Sequence, residues 1–130
     1  MKKALAAMYA LMLAGTTALA QEATVASLMS KDLLNSPGRE ISMITVEYAP
    51  GQSTPAHRHN AHVFVYVLEG SLQMGVKGKE PVTVSAGQTF YESPTDVHEI
   101  SRNASDSKPA KFLVLLLHDP GSSTFQPAEK

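Results

Sequence analysis

The chain opens on one apolar run and then settles into short blocks in which apolar and polar positions alternate. Lys2 and Lys3 precede a nearly unbroken apolar stretch from Ala4 to Leu13, which gives way at Gly15-Thr16-Thr17 and ends in Ala18-Leu19-Ala20 before Gln21. A positive start, a short apolar segment and an A-x-A site mark a secretory signal peptide, and the run falls short of the roughly 20 apolar residues of a membrane span. Residues 1–20 are therefore expected to be cleaved on export to the bacterial periplasm or medium, leaving no membrane anchor. Residues 21–40 are polar, carry a short helical or extended pattern over 25–34, break at Ser36-Pro37-Gly38, and are expected to form an N-terminal arm.

From Ile41 the texture is that of β-structure. Residues 41–48 mix alternation with β-branched side chains and stop at Pro50-Gly51, which predicts a strand and a turn. Residues 63–68 are apolar on both faces, as in a strand buried on both sides, and end at Glu69-Gly70. Further strands are predicted over 71–76, 82–84, 89–91, 97–102 and 112–117, separated by Lys77-Gly78-Lys79, Ala86-Gly87, Pro94-Thr95-Asp96 and a polar loop over 103–109. Asp119-Pro120-Gly121 closes the series, and residues 119–130 are expected to form a C-terminal tail that is frayed beyond Ser122. Short strands at near-regular spacing, with no helical run of ten residues, predict one all-β domain over 41–118, a sandwich or small barrel.

Composition narrows the chemistry. The chain has 11 Lys and Arg, 12 Asp and Glu and a net charge of −1, which becomes −3 once Lys2 and Lys3 are removed. A mildly acidic domain whose arginines are Arg39, Arg58 and Arg102 has no basic stripe for a phosphate backbone, so no nucleic-acid partner is expected. The absence of cysteine excludes disulfides and thiolate ligands.

The candidate chemistry lies in histidine. In His57-Arg58-His59-Asn60-Ala61-His62, residues i and i+2 of an extended segment share a face, so His57 and His59 can aim at one ion, with His98 arriving from a distant strand as a third ligand. His62 would need a bulge or register shift to join them as a fourth, and otherwise reads as a rim residue. His118 reads as a surface or capping residue, and Met43 and Met74 as core filler. Tyr48, Tyr66, Tyr91 and Glu92 are candidates to face the cavity. Tyr91 and Glu92 are neighbours, so only one of them faces inward, and alternation leaves open which.

These residues carry a family resemblance. Gly51, then His57-Arg58-His59 and Tyr66-Val67-Leu68-Glu69-Gly70, followed by Gly87, Pro94 and His98, resemble the paired motifs of the cupin superfamily over roughly residues 41–117. The resemblance implies a double-stranded β-helix, or jelly roll, a metal held inside the barrel by His57, His59 and His98, and a homodimer. Where the family has its metal-binding glutamate this chain has Val63, so the carboxylate ligand is expected to be missing. The second motif also departs, with Ser93 and Thr95 in place of a proline and a glycine and the asparagine displaced to Asn103.

Three neutral imidazoles would leave the full charge on a divalent ion, draw an anion to its open positions and suit Zn, Cu, Fe or Ni, with Mn as a further candidate. The functional expectation is an exported metal-binding cupin that acts on or binds a small oxygen-rich molecule. An enzyme of this kind would be a small dioxygenase, isomerase or lyase in which Glu92 or Tyr91 moves protons. The alternatives are a non-catalytic small-molecule or metal-binding module, and a metal-free structural cupin in which Val63 marks a lost site.

Overall fold

A computed structural model describes residues 22–128; the predicted signal peptide lies outside the described residues. The strands in chain order are β1 (Thr24–Asp32), β2 (Glu40–Tyr48), β3 (Ser53–Thr54), β4 (His57–Arg58), β5 (Ala61–Glu69), β6 (Ser71–Val76), β7 (Val82–Ser85), β8 (Thr89–Glu92), β9 (His98–Asn103), β10 (Ala110–His118) and β11 (Gln126–Pro127). They form two antiparallel sheets. One has five strands in the order β1-β2-β10-β5-β8, and the other has six, ordered β11-β4-β9-β6-β7 with β3 also on β9. This is the all-β architecture expected from the alternating pattern, and the jelly roll that the family resemblance implies. Among the described residues no helix is long and apolar enough to cross a membrane.

The core lies between the sheets. β10 shows how the sequence builds it, since its residues alternate strictly between buried and half-buried, with Phe112, Val114 and Leu116 turned inward. Val67, Val65 and Val63 of β5 lie beside them as cross-strand partners on the same sheet face, and Leu72, Met74 and Val84 come from the opposite sheet. Positive-φ glycines make the tight turns, notably Gly70 between β5 and β6 at φ 73°. Asn103, 1% exposed, closes the loop after β9 by donating from Nδ2 to the carbonyls of Ala49 and Lys108 and accepting from the Ser105 amide.

Of the N-terminal arm, whose pattern left helix and extended chain open, residues 24–32 form the extended edge strand β1, paired along its length with β2 and exposed on both faces. Three expectations need correction. Strand β5 buries one face only, because Phe64, Tyr66 and Leu68 point out from the barrel and are 44–47% exposed. Their apolar character belongs to an outer surface, where register aligns Tyr91, Phe64, Leu115, Met43 and Met29 in one row across all five strands. The tail is not frayed over Gln126–Pro127, which pair with β4. His118 is no surface residue either, since it is buried and its ring bonds the Ser42 hydroxyl and the Asp119 carbonyl.

Candidate metal centre

Strand pairing assembles the site. His57 of β4 and His98 of β9 are direct cross-strand partners, an arrangement that brings Cβ atoms to about 4.5–5.5 Å, and their ring centroids lie 4.9 Å apart. His59 follows two residues after His57 and turns its ring the same way, edge-on at 4.7 Å. The fourth member comes from the other sheet. Glu92, on β8, is the register partner of Val63 on β5, and its carboxylate enters the cavity from across that pair. One donor atom each from His57, His59, Glu92 and His98 lies within 4.8 Å of the others, so the group could hold a metal ion.

The carboxylate expected to be missing is thus supplied from the adjacent strand, directly opposite the position where the family resemblance placed it. Alternation along β8 settles which neighbour faces inward: Glu92 is 2% exposed and Tyr91 47% exposed. Tyr91 therefore stands outside the cavity, where its hydroxyl lies 2.6 Å from His62 Nδ1. His62 shares that outer face and is not among the four clustered residues, because no bulge reverses its side of β5. Tyr66 also faces outward, while Tyr48 is buried with its hydroxyl between Thr54 and Ser101.

Hydrogen bonds prepare the imidazoles as ligands. A carbonyl can only accept, so His57 Nδ1–H donates to Pro55 O at 2.7 Å and His59 Nδ1–H donates to Thr124 O at 2.7 Å. Each neutral ring then presents an unprotonated Nε2, and these two atoms face each other at 3.0 Å. Two lone pairs at that distance with no hydrogen between them repel, and a shared cation removes the conflict. Glu92 and His98 carry the same signature. Glu92 Oε1 and His98 Nδ1 are 2.9 Å apart but misaligned, and both, with His98 Nε2, are buried without a hydrogen-bond partner. Buried groups of this kind ordinarily find partners, so the donor set fits a divalent cation.

Burial also sets protonation. It pushes the His57 pKa down to about 4, helped by neighbouring His59 and His98 and opposed by the Pro55 carbonyl and Glu92. Burial likewise lowers His59 and raises the Tyr48 phenol. An unfolded histidine titrates near 6.5, so between about pH 6.5 and 4 the unfolded chain binds more protons than the fold does. The metal-free protein is therefore expected to hold its full histidine-linked stability above pH 6.5 and to lose it progressively as the pH falls toward 4. Urea unfolding at several pH values checks this, and His57→Gln should flatten the dependence.

Apolar side chains pack against the cluster. Phe90 stacks on His98 with ring centroids 5.8 Å apart, Phe125 stacks on His57 at 4.7 Å, and Val63 packs inward beside Glu92. Val63 thus stands beside a buried cluster of three imidazoles and one carboxylate.

Comparison with known proteins agrees with this architecture. The description "Cupin domain" matches residues 44–116. Among solved structures, a cupin-2 domain protein of Rhodospirillum rubrum has a TM-score of 0.65 at 18% identity, covering 83% of this chain and 66% of its own. A recombinant oxalate oxidase in complex with glycolate has a TM-score of 0.63 at 25% identity, with 87% of this chain and 58% of that one covered. The DMSP lyase DddQ from Ruegeria pomeroyi has a TM-score of 0.59 at 19% identity, with coverages of 68% and 43%. The chain thus spans less than half the length of that lyase. No curated protein matches it significantly in sequence. The matched segment takes in His57, His59, Glu92 and His98 together with the strands that carry them, and the chain belongs to the cupin domain family.

Proposed function

We propose that this chain is an exported metal-binding cupin in which His57, His59, His98 and Glu92 hold one divalent transition metal, against which a small oxygen-rich anion binds and reacts. The observation that carries the reading is the pair of Nε2 atoms 3.0 Å apart whose rings have already given their Nδ1 hydrogens to carbonyls. Export rests on the leader-like residues 1–20.

The protein's residues divide the work. Pro55 and Thr124 carbonyls hold two imidazoles with Nε2 inward, Glu92 supplies one negative charge, and Phe90 keeps water from one side of His98. A bound divalent ion would supply Lewis-acid stabilisation of negative oxygen. Glu92 lowers the net charge of the loaded centre to +1, below the +2 of an all-histidine site, and still leaves it attractive to a carboxylate. An oxygen donor also widens the suitable metals toward Mn. Support for the ligand class comes from the oxalate oxidase held with glycolate and the DMSP lyase, which share this fold.

A second reading, ligand capture without turnover, is favoured by one observation. Glu92 is committed to the cluster and Tyr91 faces outward, so neither side chain expected to move protons stands free in the cavity. Calorimetric titration of metal-free protein with Zn²⁺ and Mn²⁺ should show one ion per chain and a higher melting temperature. Glycolate or oxalate should then raise the melting temperature of the loaded protein only, and consumption of either separates turnover from capture. Indifference to both metals sinks the metal reading, and an equal response of metal-free protein to the anions sinks the second step.

The homodimer is proposed to form through the outer row of Tyr91, Phe64, Leu115, Met43 and Met29, which leaves a broad apolar sheet face to cover. Sedimentation of the same samples should report twice the chain mass; a monomer at micromolar concentration would remove the dimer.

A further inference from the structure

After β10 the chain crosses from one sheet to the other and packs against the candidate metal centre. β10 belongs to the five-stranded sheet and β11 to the other, so residues 119–125 span the gap between them. The landing is specific: Gln126 pairs with Arg58, Pro127 with His57, and the Ala128 amide donates to the Ala56 carbonyl. Two contacts then reach the cluster itself. The Thr124 carbonyl takes the Nδ1 hydrogen of His59, and the Phe125 ring lies over His57 at 4.7 Å and 25°, with its edge toward His59 at 6.0 Å. Phe125 is 47% exposed, so its ring has the imidazoles on one side and solvent on the other.

The attachment is also slight. β11 has two residues, both exposed, and its pairing is with β4 alone, itself a two-residue strand. A segment with so little buried apolar area opens locally at small free-energy cost.

We propose that residues 123–128 form a strap that belongs to the metal centre, with Thr124 positioning His59 and Phe125 closing the passage by which ions and ligands exchange. The proposal rests on the metal reading above and adds the element that governs retention. Docked, the Thr124 carbonyl holds His59 in the tautomer whose Nε2 is free to ligate. Undocked, that ring is released and the imidazoles of His57 and His59 meet solvent. Metal and strap are then linked, because an ion on Nε2 strengthens Nδ1–H as a donor to Thr124 O. Whatever factor docking adds to metal affinity, metal adds to docking.

The test compares the full chain with a variant ending at Ser122 and with Phe125→Ala. Loss of an outer partner of a ligating histidine costs about 10–100-fold in metal affinity, so the truncated chain should still take up one Zn²⁺ but release it to a chelating dye about 10–100-fold faster. Phe125→Ala keeps the backbone carbonyl and should speed both uptake and release with little change in affinity. It also keeps the test open if truncation impairs folding. In metal-free protein, ¹⁵N spectra should show the Nδ1-protonated tautomer of His59 in the full chain and in Phe125→Ala, and a tautomer mixture after truncation. Unchanged Zn²⁺ release in both variants, or an unchanged His59 tautomer in the truncated chain, overturns the strap. A full chain that binds no Zn²⁺ removes the metal reading, while the tautomer result still decides the positioning role of Thr124.

Discussion

Glu92→Val is expected to weaken Zn²⁺ binding by well over the roughly 100-fold that accompanies loss of an outer-shell partner, while making the metal-free protein more stable. The two effects share one cause. Glu92 is 2% exposed with Oε1 lacking a hydrogen-bond partner, so its charge is buried largely for the benefit of an ion. Glu92 lies 2.9 Å from His98 Nδ1 without forming an aligned hydrogen bond, so an apolar side chain of similar size removes a buried polar group that the metal-free fold leaves without a full set of partners. Without the ion the carboxylate is a burden, and with it Glu92 is a ligand. Competition titration against a chelator measures the first effect and urea unfolding of metal-free protein the second.

Register supplies a stricter form of the same prediction. Val63 and Glu92 are cross-strand partners, so moving the carboxylate from one to the other shifts its origin by only one strand. The double variant Val63→Glu, Glu92→Val is expected to recover Zn²⁺ affinity to within about tenfold of the original, although neither single variant is neutral. Val63→Glu alone places two carboxylates in one cavity and should destabilise the metal-free fold. Failure of the double variant to recover affinity, with its fold intact, would show that Glu92 acts through its own strand and not as the transposed family ligand.

The largest stability loss is expected from Gly70→Ala. Gly70 has φ 73° in the turn between β5 and β6, and an added Cβ would lie 2.6 Å from the Pro109 carbonyl oxygen and 3.0 Å from Ala110 Cα. The left-handed conformation by itself costs an L-residue about 1–2 kcal/mol. The clash adds more, because its partners are backbone at the start of β10, which pairs with both β2 and β5 and cannot move alone. We expect a total of about 3–5 kcal/mol, a large part of the 5–15 kcal/mol that holds a typical domain together. Gly78→Ala is the control. Its φ is 83° but nothing lies within 4 Å of the added methyl, so only the conformational part of about 1–2 kcal/mol should appear. Equal losses at the two glycines would mean that the contact with Pro109 relaxes freely.

Particular residues show how far the chain could be read in advance. Strands β6 to β10 were legible within one or two residues because alternation is a local consequence of the pleat, and β10 displays it without interruption. The pair His57 and His59 was legible for the same reason, being two residues apart on one extended segment. Alternation also argued correctly that His62 turns away from the pair. Glu92 as a member of the cluster was not legible. Its place opposite Val63 is a matter of register between strands 29 positions apart, which local spacing does not encode. The tail, with no periodicity of its own, gains its order from β4, His57 and His59. Phe64, Tyr66 and Leu68 misled for a related reason: an apolar residue on a strand reports burial without saying against what.

By itself the sequence determined that this protein is built of short antiparallel strands with glycine turns, and that imidazole is the principal donor chemistry of its candidate metal centre. Those properties follow from side-chain period and residue type, which act over a few residues. Tertiary structure alone decided that a carboxylate completes the cluster, that it comes from the opposite sheet, and that Thr124 and Phe125 lie against it. Each of these depends on which distant strands pair and in what register, a choice made by packing the whole barrel at once.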